Sequence, residues 1–259
     1  MAPYNAFRPS PAIVAFVSQK GGVGKSTLAR TLALVAVSAG LVARLADLGV
    51  QQRTLLLWGN TRKGNGHLPA VAVEAFSDAG EALVTARSGE LMILDTPGQV
   101  KDATLHLVRR AHLVVQPTGP SLDDLRPAVL VFHALANLGI PRERLAFALC
   151  RTMAKGEEDA ARAHLEEAGF AVLPGAIPER VAYRTALNCG LALTETDEGA
   201  LNKRADSLLR AVLAKLAPVA RIPAPPPDGE NAPGPAVGRR RAAPLRWAVA
   251  PPAEMGGKS

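Results

Sequence analysis

The sequence predicts an α/β fold in which a mostly parallel β-sheet is covered by helices on both faces. Short apolar runs alternate with longer amphipathic stretches along most of the chain. The apolar runs have the length of strands, and the stretches between them have the length of helices. This repeated β-α-β order favours a doubly wound sheet with right-handed crossovers and ligands at the carboxyl ends of the strands.

The strands are assigned to apolar runs such as AIVAFVS, LMILD and LAFALC, which suit a sheet that is buried on both faces. In chain order, strands are expected at 12–18, 41–46, 70–75, 91–95, 112–116, 145–150 and 170–173. Helices are expected at 25–38, 78–87, 102–110, 121–138, 157–168, 179–188 and 199–216. Residues 59–69 (GNTRKGNGHLP) are rich in glycine and polar residues, so we expect a mobile loop there, beside the ligand site.

Composition divides the chain near Ala217. Of the 259 residues, 48% are hydrophobic and 20% are charged, which excludes a protein that is disordered throughout. Ten of the 21 prolines follow Ala217. We therefore expect one folded domain over residues 1–217 and a disordered, basic tail rich in proline and alanine over 218–259.

Charge and cysteine content narrow the range of partners and compartments. The formal net charge of +7 allows polyanions such as nucleic acid or anionic lipid as partners. Cys150 and Cys189 cannot form a disulfide framework and lack metal-ligand spacing. The first residues lack the layout of a signal peptide, and the apolar run 32–43 is shorter than the roughly 20 residues of a membrane span. A cytoplasmic protein without stable membrane insertion is expected.

A glycine-rich segment lies between the first predicted strand and the first predicted helix. It consists of Lys20, Gly21, Gly22, Val23, Gly24, Lys25, Ser26 and Thr27. Glycines let backbone N–H groups turn toward phosphates, and the helix N-terminus adds positive potential. Lys25 is placed to reach the β- and γ-phosphates, Ser26 to offer its hydroxyl to Mg²⁺, and Thr27 to cover the α-phosphate. The segment therefore predicts a phosphate-binding loop.

The loop departs from the standard pattern Gly-x-x-x-x-Gly-Lys-Ser. Gln19 stands where that pattern has its first glycine, and a second lysine, Lys20, precedes the glycines. These features are typical of the deviant Walker A form of the loop. The alternative for Lys20 is an exposed loop lysine without a specific role.

Two aspartates follow predicted strands and complete the expected site. Asp95 ends the run LMILD and is expected to hold Mg²⁺ through the water shell of the ion. An ordinary strand-ending aspartate is the alternative. Asp47 ends the second strand, where its carboxylate would point at the same site and orient an attacking water.

With these segments in place, the chain resembles the ParA/MinD superfamily of deviant Walker A ATPases, which are P-loop NTPases. It is most similar to the small ParA-type partition ATPases, over about residues 12–216. Besides SQKGGVGKST, the resemblance is carried by ADLGVQQRT (46–54), Trp58, LDTPG (94–98), HLVVQPTGPSLDDLRP (112–127), FALCRT (147–152) and AIPERVAYRTAL (176–187).

The resemblance implies an ATPase that uses ATP and Mg²⁺, with Lys20, Lys25 and Asp47 as its catalytic residues. It further implies a homodimer, formed on ATP, in which Lys20 of each protomer reaches phosphates bound to the other. A lysine donated in this way neutralises charge that would otherwise oppose closure. Such dimers bind DNA without sequence preference and hydrolyse ATP slowly until a ParB-like partner or cargo adaptor stimulates them. The implied role is segregation of a plasmid, chromosome or other cargo by a nucleoid-associated protein.

Two positions depart from the family pattern. The segment after the second strand usually has the form Asp-x-Asp-x-Gln, but here Gly49 replaces the second carboxylate while Asp47 and Gln51 remain. Cys150 stands where an asparagine commonly helps to hold adenine. The base contacts are therefore expected from Arg151 and from the loop that contains Pro178.

Basic residues on the last helices form a candidate DNA-binding surface. They are Arg180, Arg184, Lys203, Arg204, Arg210 and Lys215. Phosphate contact requires only positive charge and reach, although a solvated helix face explains the same residues. Residues 239–241, all arginine, with Trp247 nearby, offer either a flexible clamp on polyanions or a solubilising tail.

Two other functions compete with DNA-bound positioning. A MinD-like, membrane-associated division-site ATPase would need an amphipathic C-terminal helix, which the proline-rich end disfavours. A small-molecule enzyme with the same loop would need substrate-binding residues, and the sequence identifies none.

Overall fold

The computed structural model describes residues 10–49, 52–98 and 102–220. Its strands are β1 (Ala12–Phe16), β2 (Ala43–Asp47), β3 (Ala72–Ala75), β4 (Leu91–Asp95), β5 (Leu113–Thr118), β6 (Leu145–Thr152) and β7 (Ala171–Pro178). All pairs are parallel, and the order across the sheet is β3-β2-β4-β1-β5-β6-β7. The predicted doubly wound, parallel α/β fold is confirmed.

In the described ranges, one α-helix lies between each pair of consecutive strands, and two more follow the last strand. They are α1 (Lys25–Ser38), α2 (Thr54–Gly64), α3 (Ala79–Val84), α4 (Asp102–Arg110), α5 (Leu122–Asn137), α6 (Lys155–Glu167), α7 (Val181–Asn188) and α8 (Gly199–Ala220). A short 3₁₀ turn, Arg142–Arg144, precedes β6. Every predicted helix and strand overlaps one of these elements.

The expected mobile loop over 59–69 is wrong for its first half, because residues 59–64 belong to α2. Long-range packing outweighs the poor helix propensity of glycine here. A Cβ on Gly59 would lie 2.8 Å from Val73 Cγ2, so the glycine lets α2 approach β3 closely. Arg62, 2% exposed, pairs with Glu195 at 2.7 Å and holds the helix from its other side.

Strand β7 is longer than predicted, because the expected strand ends at residue 173, before Pro174 and Gly175. The strand continues to Pro178. It lies at one edge of the sheet, where a proline leaves no ladder hydrogen bond unmade. This extension carries the end of β7 to the edge where the phosphate loop lies.

Helix α8 passes the predicted domain boundary at residue 217 and reaches Ala220. Leu216 and Ala220, four residues apart, are both buried, so the apolar face continues past Pro218. The boundary itself remains a prediction. Gln51, the arginines at 239–241 and Trp247 lie outside the described residues.

The core has two halves, one on each face of the sheet. Helices α1, α2, α7 and α8 cover one face, where residues such as Leu28 and Leu208 are fully buried. Helices α3 to α6 cover the other, where Phe132 packs 4.2 Å from Phe147 between ring centroids. Of the helices in the described ranges, none combines the length and the hydropathy needed to cross a bilayer.

The topology creates a crevice at the carboxyl ends of β1 and β5. The chain leaves β1 toward β2 on one side of the sheet and leaves β5 toward β6 on the other. Ligands of doubly wound folds bind at such switch points. The phosphate loop follows β1 and therefore lies in this crevice.

Candidate nucleotide site

The loop between β1 and α1 has the backbone geometry of a phosphate cradle. Gly22 and Gly24 have φ angles of 73° and 113°, which only glycine adopts without strain. Gly24 is also the N-cap of α1, so the loop ends at the positive end of a helix dipole. A Cβ built on Gly21 or Gly22 would meet no atom within 4 Å. This side of the loop is therefore open.

The Lys25 side chain lies across the loop that precedes it. Its Nζ donates to Ser18 Oγ at 2.8 Å, and Ser18 Oγ donates to the Lys20 carbonyl at 2.7 Å. Lys25 is 9% exposed, and burial lowers its pKa while the charge of Asp95 opposes that shift. The amine is therefore largely desolvated and placed for a charged ligand.

Asp95 and Ser26 form a pair of oxygen donors at the end of β4. Ser26 Oγ donates to Asp95 Oδ2 at 2.5 Å. Asp95 Oδ1 is buried and has no hydrogen-bond partner within the described ranges. Burial raises the pKa of Asp95 to about 6, and the charge of Asp47 adds to the shift. A hydroxyl beside a buried carboxylate with an unused oxygen fits Mg²⁺, which prefers oxygen ligands.

Asp47 lies on the neighbouring strand, opposite Asp95 in the ladder between β2 and β4. Its carboxylate is 2% exposed and accepts hydrogen bonds from three backbone N–H groups. Oδ1 accepts from Gly49 at 3.0 Å, and Oδ2 accepts from Leu55 at 2.9 Å and Leu56 at 3.1 Å. Asp47 therefore caps the N-terminus of α2, a position that sequence reasoning did not foresee.

Gly49 leaves room for the Asp47 carboxylate. A Cβ at this position would lie 3.2 Å from Asp47 Oδ1, so a side chain would require a small shift of the carboxylate. The Gly49 N–H donates to the same oxygen. The missing second carboxylate thus accompanies a cap that ties Asp47 to the backbone.

Asp47→Ala is expected to lower the free energy of unfolding of the nucleotide-free protein by about 1–3 kcal/mol, because three backbone donors lose a charged acceptor. Urea unfolding measures this change. Asp78→Ala is the matched control, since Asp78 caps α3 through Gly80 and Glu81 at an exposed site away from the loop. Both variants should lose cap energy, and Asp47→Ala should lose more because its carboxylate is buried. Unchanged unfolding of Asp47→Ala would contradict the capping role.

Lys20, the second lysine of the loop, pairs with Asp124 of its own chain near the start of α5. The Lys20 side chain is 53% exposed and that of Asp124 is 11% exposed. A Cβ on Gly119 would overlap Asp124 Oδ2, so this glycine makes room for the carboxylate. Asp124 belongs to the segment SLDDLRP, and no local pattern in that segment indicates its contact with Lys20.

The expected base contacts lie where β6 and β7 end. Arg151 has a φ of 60° and donates to Glu179 Oε2 at 3.2 Å, and Pro178 is buried at the end of β7. Cys150 packs under the loop, its Sγ 3.4 Å from where a Cβ of Gly24 would stand. Burial raises the pKa of Cys150 to about 12, so the side chain is a neutral thiol.

Arg30 is a buried cation near the site that sequence reasoning missed. It is 9% exposed, and burial lowers its pKa to about 10 against the opposing charge of Asp95. Its Nη2 donates to Thr27 Oγ1 at 3.4 Å, and its guanidinium lies 6.0 Å from the centre of the Trp58 ring. An arginine within the apolar run of α1 is the sequence signal that could have found it.

The predicted DNA-binding residues differ in the groups of this chain that they contact. Arg184 pairs with Glu179 at 2.5 Å, and Arg180 donates to the Glu179 carbonyl at 2.8 Å. Arg210 pairs with Asp206 at 2.6 Å, one helical turn away. The contacts with Glu179 lie on the surface, so they hold Arg180 and Arg184 only weakly and leave these two arginines available. The Arg210 side chain is only 22% exposed.

Arg204 is held by stronger contacts within the chain than the arginines above. It pairs with the buried Glu158 at 2.6 Å and donates to the Ala176 carbonyl at 2.9 Å, which joins α8 to α6 and β7. Lys203 is exposed and Lys215 is half-buried. In the part of the chain that the structure describes, neither lysine forms an ion pair.

A glycine-rich loop between strand and helix, a buried lysine and a strand-end carboxylate, all at the switch point of a parallel sheet, define a P-loop nucleotide-binding protein. Residues 14–193 match the family described as the CobQ/CobB/MinD/ParA nucleotide binding domain. The chain belongs to this family.

Individual relatives agree with this assignment. The chain is 25% identical to Protein ParA of Rhizobium radiobacter over 221 residues, which are 79% of this chain and 97% of that protein. The septum site-determining protein MinD from Pyrococcus horikoshii, solved with Mg-ADP, has a TM-score of 0.63 at 16% identity and covers 78% of this chain and 95% of its own. A variant of Cyanothece McdA, solved with ATP, has a TM-score of 0.61 at 18% identity. The match covers 78% of this chain and 96% of the McdA chain. These two structures share the fold of this chain.

Proposed function

We propose that this protein is a ParA-type positioning ATPase. It forms a homodimer on ATP, binds DNA without sequence preference, and hydrolyses ATP slowly until a ParB-like partner or cargo adaptor stimulates it. This activity segregates a plasmid, chromosome or other intracellular cargo. The proposal is supported by membership of the family, by the relative named Protein ParA, and above all by Lys20, an exposed lysine directly before a complete phosphate loop.

The loop residues have separate tasks in this proposal. The backbone from Gly21 to Thr27 surrounds the phosphates, and Lys25 neutralises the β- and γ-phosphates from its buried position. Ser26 and Asp95 hold Mg²⁺, Asp95 through water, and the ion supplies charge neutralisation at the phosphate oxygens. Asp47 orients the attacking water.

That task adds a partner to Asp47. Its three hydrogen bonds all come from backbone N–H groups at or before the start of α2. A carboxylate has about four acceptor sites, and Oδ1 holds only one of these bonds, so Asp47 can accept from a water while it still caps α2. The position of the attacking water is thereby tied to the start of α2.

Lys20 changes partner when the dimer forms. In the single chain it pairs with Asp124, and a half-exposed ion pair of this kind stabilises by no more than about 1 kcal/mol. Two bound triphosphates that face each other across an interface offer Lys20 a far stronger anion. ATP binding is therefore able to draw Lys20 out of its own chain and into the site of its twin.

Lys20→Ala is expected to bind ATP with an affinity within about threefold of the natural chain but to remain a monomer with ATP, because only the contact in trans is lost. Light scattering measures the dimer. Lys155→Ala is the matched control, since Lys155 is also an exposed lysine paired with an aspartate, but lies on α6. ATP-dependent dimerisation of Lys20→Ala equal to that of the control would contradict the proposal.

The same variants test the cargo-positioning function. The experiment is cosedimentation with DNA and with liposomes, each with and without ATP. The natural chain and Lys155→Ala should sediment with DNA only when ATP is present. Lys20→Ala should not sediment with DNA. If each protomer neutralises about three phosphates, the logarithm of the DNA affinity falls with the logarithm of salt at a slope near −5 for the dimer. Retention on liposomes instead would favour a MinD-like function, and ATP turnover that requires a metabolite would favour a small-molecule enzyme.

A further inference from the structure

A cavity of about 450 Å³ opens at the edge of the sheet opposite the phosphate loop. Its walls come from the segments that precede strands β1, β5 and β6 and from the last turn of α8, with Ile13, His112, Arg144 and Val219 among them. This volume lies within the range of about 300–1,000 Å³ that is typical of small-ligand sites. The site described above does not use it.

The lining of this cavity carries positive charge without compensation. Arg109 and Arg110, the last two residues of α4, are exposed and line it together with Arg144. Among the described lining residues there is no aspartate or glutamate. Three guanidinium groups at one concave site create a strong positive potential, which water screens less well than on a convex surface.

Arg144 is held in place by the end of helix α4. Its Nη2 donates to the carbonyls of Val108 at 3.0 Å, Arg109 at 3.1 Å and Ala111. Its Nε is buried and has no hydrogen-bond partner within the described ranges. Because Nη2 is engaged and Nε is closed to solvent, Nη1 is the nitrogen of Arg144 that is left for a ligand in the cavity.

His112 responds to the charge in the cavity. Its Nδ1 accepts from the Ile13 N–H at 3.2 Å, so the neutral ring carries its proton on Nε2. Burial lowers the pKa of His112, and the positive charges of Arg144 and Arg110 lower it further. An anion that neutralises these arginines would remove part of that shift.

We propose that this cavity binds a phosphate group, which Arg109, Arg110 and Arg144 hold by charge-assisted hydrogen bonds. Guanidinium groups match the geometry of phosphate oxygens, and three of them suit a group with two or more acceptor oxygens. The cavity lies at the amino ends of the strands, away from the nucleotide loop, so an anion bound there does not compete with ATP for the loop. The phosphate belongs either to a small phosphorylated molecule or to the backbone of DNA.

The test uses the full, nucleotide-free chain and follows the imidazole resonances of His112 by NMR during titration with sodium sulfate and with sodium phosphate. This readout is specific for the cavity, whereas calorimetry would also report anions at the phosphate loop. Saturable shifts at His112 are expected. Arg109→Gln/Arg110→Gln should weaken them at least about tenfold, since two charge-assisted contacts are lost.

Arg87→Gln/Arg126→Gln is the matched control, because both arginines are exposed and neither lines the cavity. Sulfate keeps its charge down to about pH 4, so pH acts through the protein alone in the range below 6.5, where the lowered pKa of His112 places its titration. Because the anion favours the protonated ring, the affinity for sulfate should rise as pH falls, and bound sulfate should raise the pKa of His112.

A short DNA duplex, added to the chain both without nucleotide and with ATP, distinguishes the two sources of phosphate. Displacement of sulfate by the duplex in either state, with an affinity that falls steeply with salt, identifies the DNA backbone. Shifts with phosphate but none with the duplex in either state identify a small phosphorylated ligand. No saturable shift at His112 with any of the three probes, or equal affinity in Arg109→Gln/Arg110→Gln and the control, would overturn the proposal.

One further outcome would also overturn it. Asp228 and Glu230 follow α8 in the sequence, and their carboxylates could take the place of a phosphate. If Asp228→Asn/Glu230→Asn increases the affinity of the cavity for sulfate about tenfold or more, the natural occupant is the chain itself.

Discussion

Lys25→Ala is expected to reduce the affinity for ATP at least about 100-fold, because two charge-assisted contacts of about 1.5 kcal/mol or more are lost and each 1.4 kcal/mol changes affinity about tenfold. The contribution is large since the amine is 9% exposed and already anchored by Ser18. The Lys25 amine therefore loses little further hydration or conformational freedom when it contacts the phosphates. Isothermal titration calorimetry with ATP measures the change.

Lys63→Ala provides the control for this measurement. Lys63 is an exposed lysine in the last turn of α2, and its loss changes the net charge equally without touching the loop. The affinity of Lys63→Ala should match that of the natural chain. Near-normal ATP binding by Lys25→Ala would remove this residue from the phosphate site.

Asp95→Asn is expected to stabilise the nucleotide-free protein while weakening its use of Mg²⁺. Burial raises the pKa of Asp95 from 3.8 to about 6, so the folded state holds a proton that the unfolded state has released. The stability that this proton supplies is present at low pH and is lost as pH rises through about 6. Above that pH, the ionised carboxylate costs at most about 3 kcal/mol, which asparagine avoids.

The measurement is thermal unfolding without Mg²⁺ or nucleotide. At about pH 7.5, Asp95→Asn should melt roughly 5 °C or more above the natural chain, and the difference should shrink toward about pH 5. Addition of Mg-ATP should reverse the order, because only the natural chain retains a charged acceptor for the ion and its waters. A variant that melts lower than the natural chain at the higher pH would contradict this account.

Asp47 and Asp95 show why two similar carboxylates should respond oppositely to substitution. They are adjacent in the ladder between β2 and β4, and both are buried. Asp47 accepts three backbone hydrogen bonds, whereas Asp95 has one bond from Ser26 and an oxygen without a partner in the described ranges. The first carboxylate is therefore expected to stabilise the fold, and the second to destabilise it in the absence of a bound cation.

Much of the fold was accessible from the sequence because its signals are local. Apolar runs and amphipathic stretches located every strand and all helices but α2. That helix was missed since its stability comes from contacts far along the chain, such as Arg62 with Glu195 and Gly59 against Val73. Composition alone favoured a loop there.

Within the candidate site, the sequence by itself determined the chemistry of the loop, because the residues from Lys20 to Thr27 are contiguous and their spacing sets where each group stands. It also determined that Asp47 and Asp95 end strands. Only the tertiary structure decided which distant groups meet. Lys20 pairs with Asp124, 104 residues away. The cavity lined by Arg109, Arg110 and Arg144 joins segments near residues 13, 110, 144 and 219. Such meetings depend on the order of strands in the sheet, and no short stretch of sequence encodes that order.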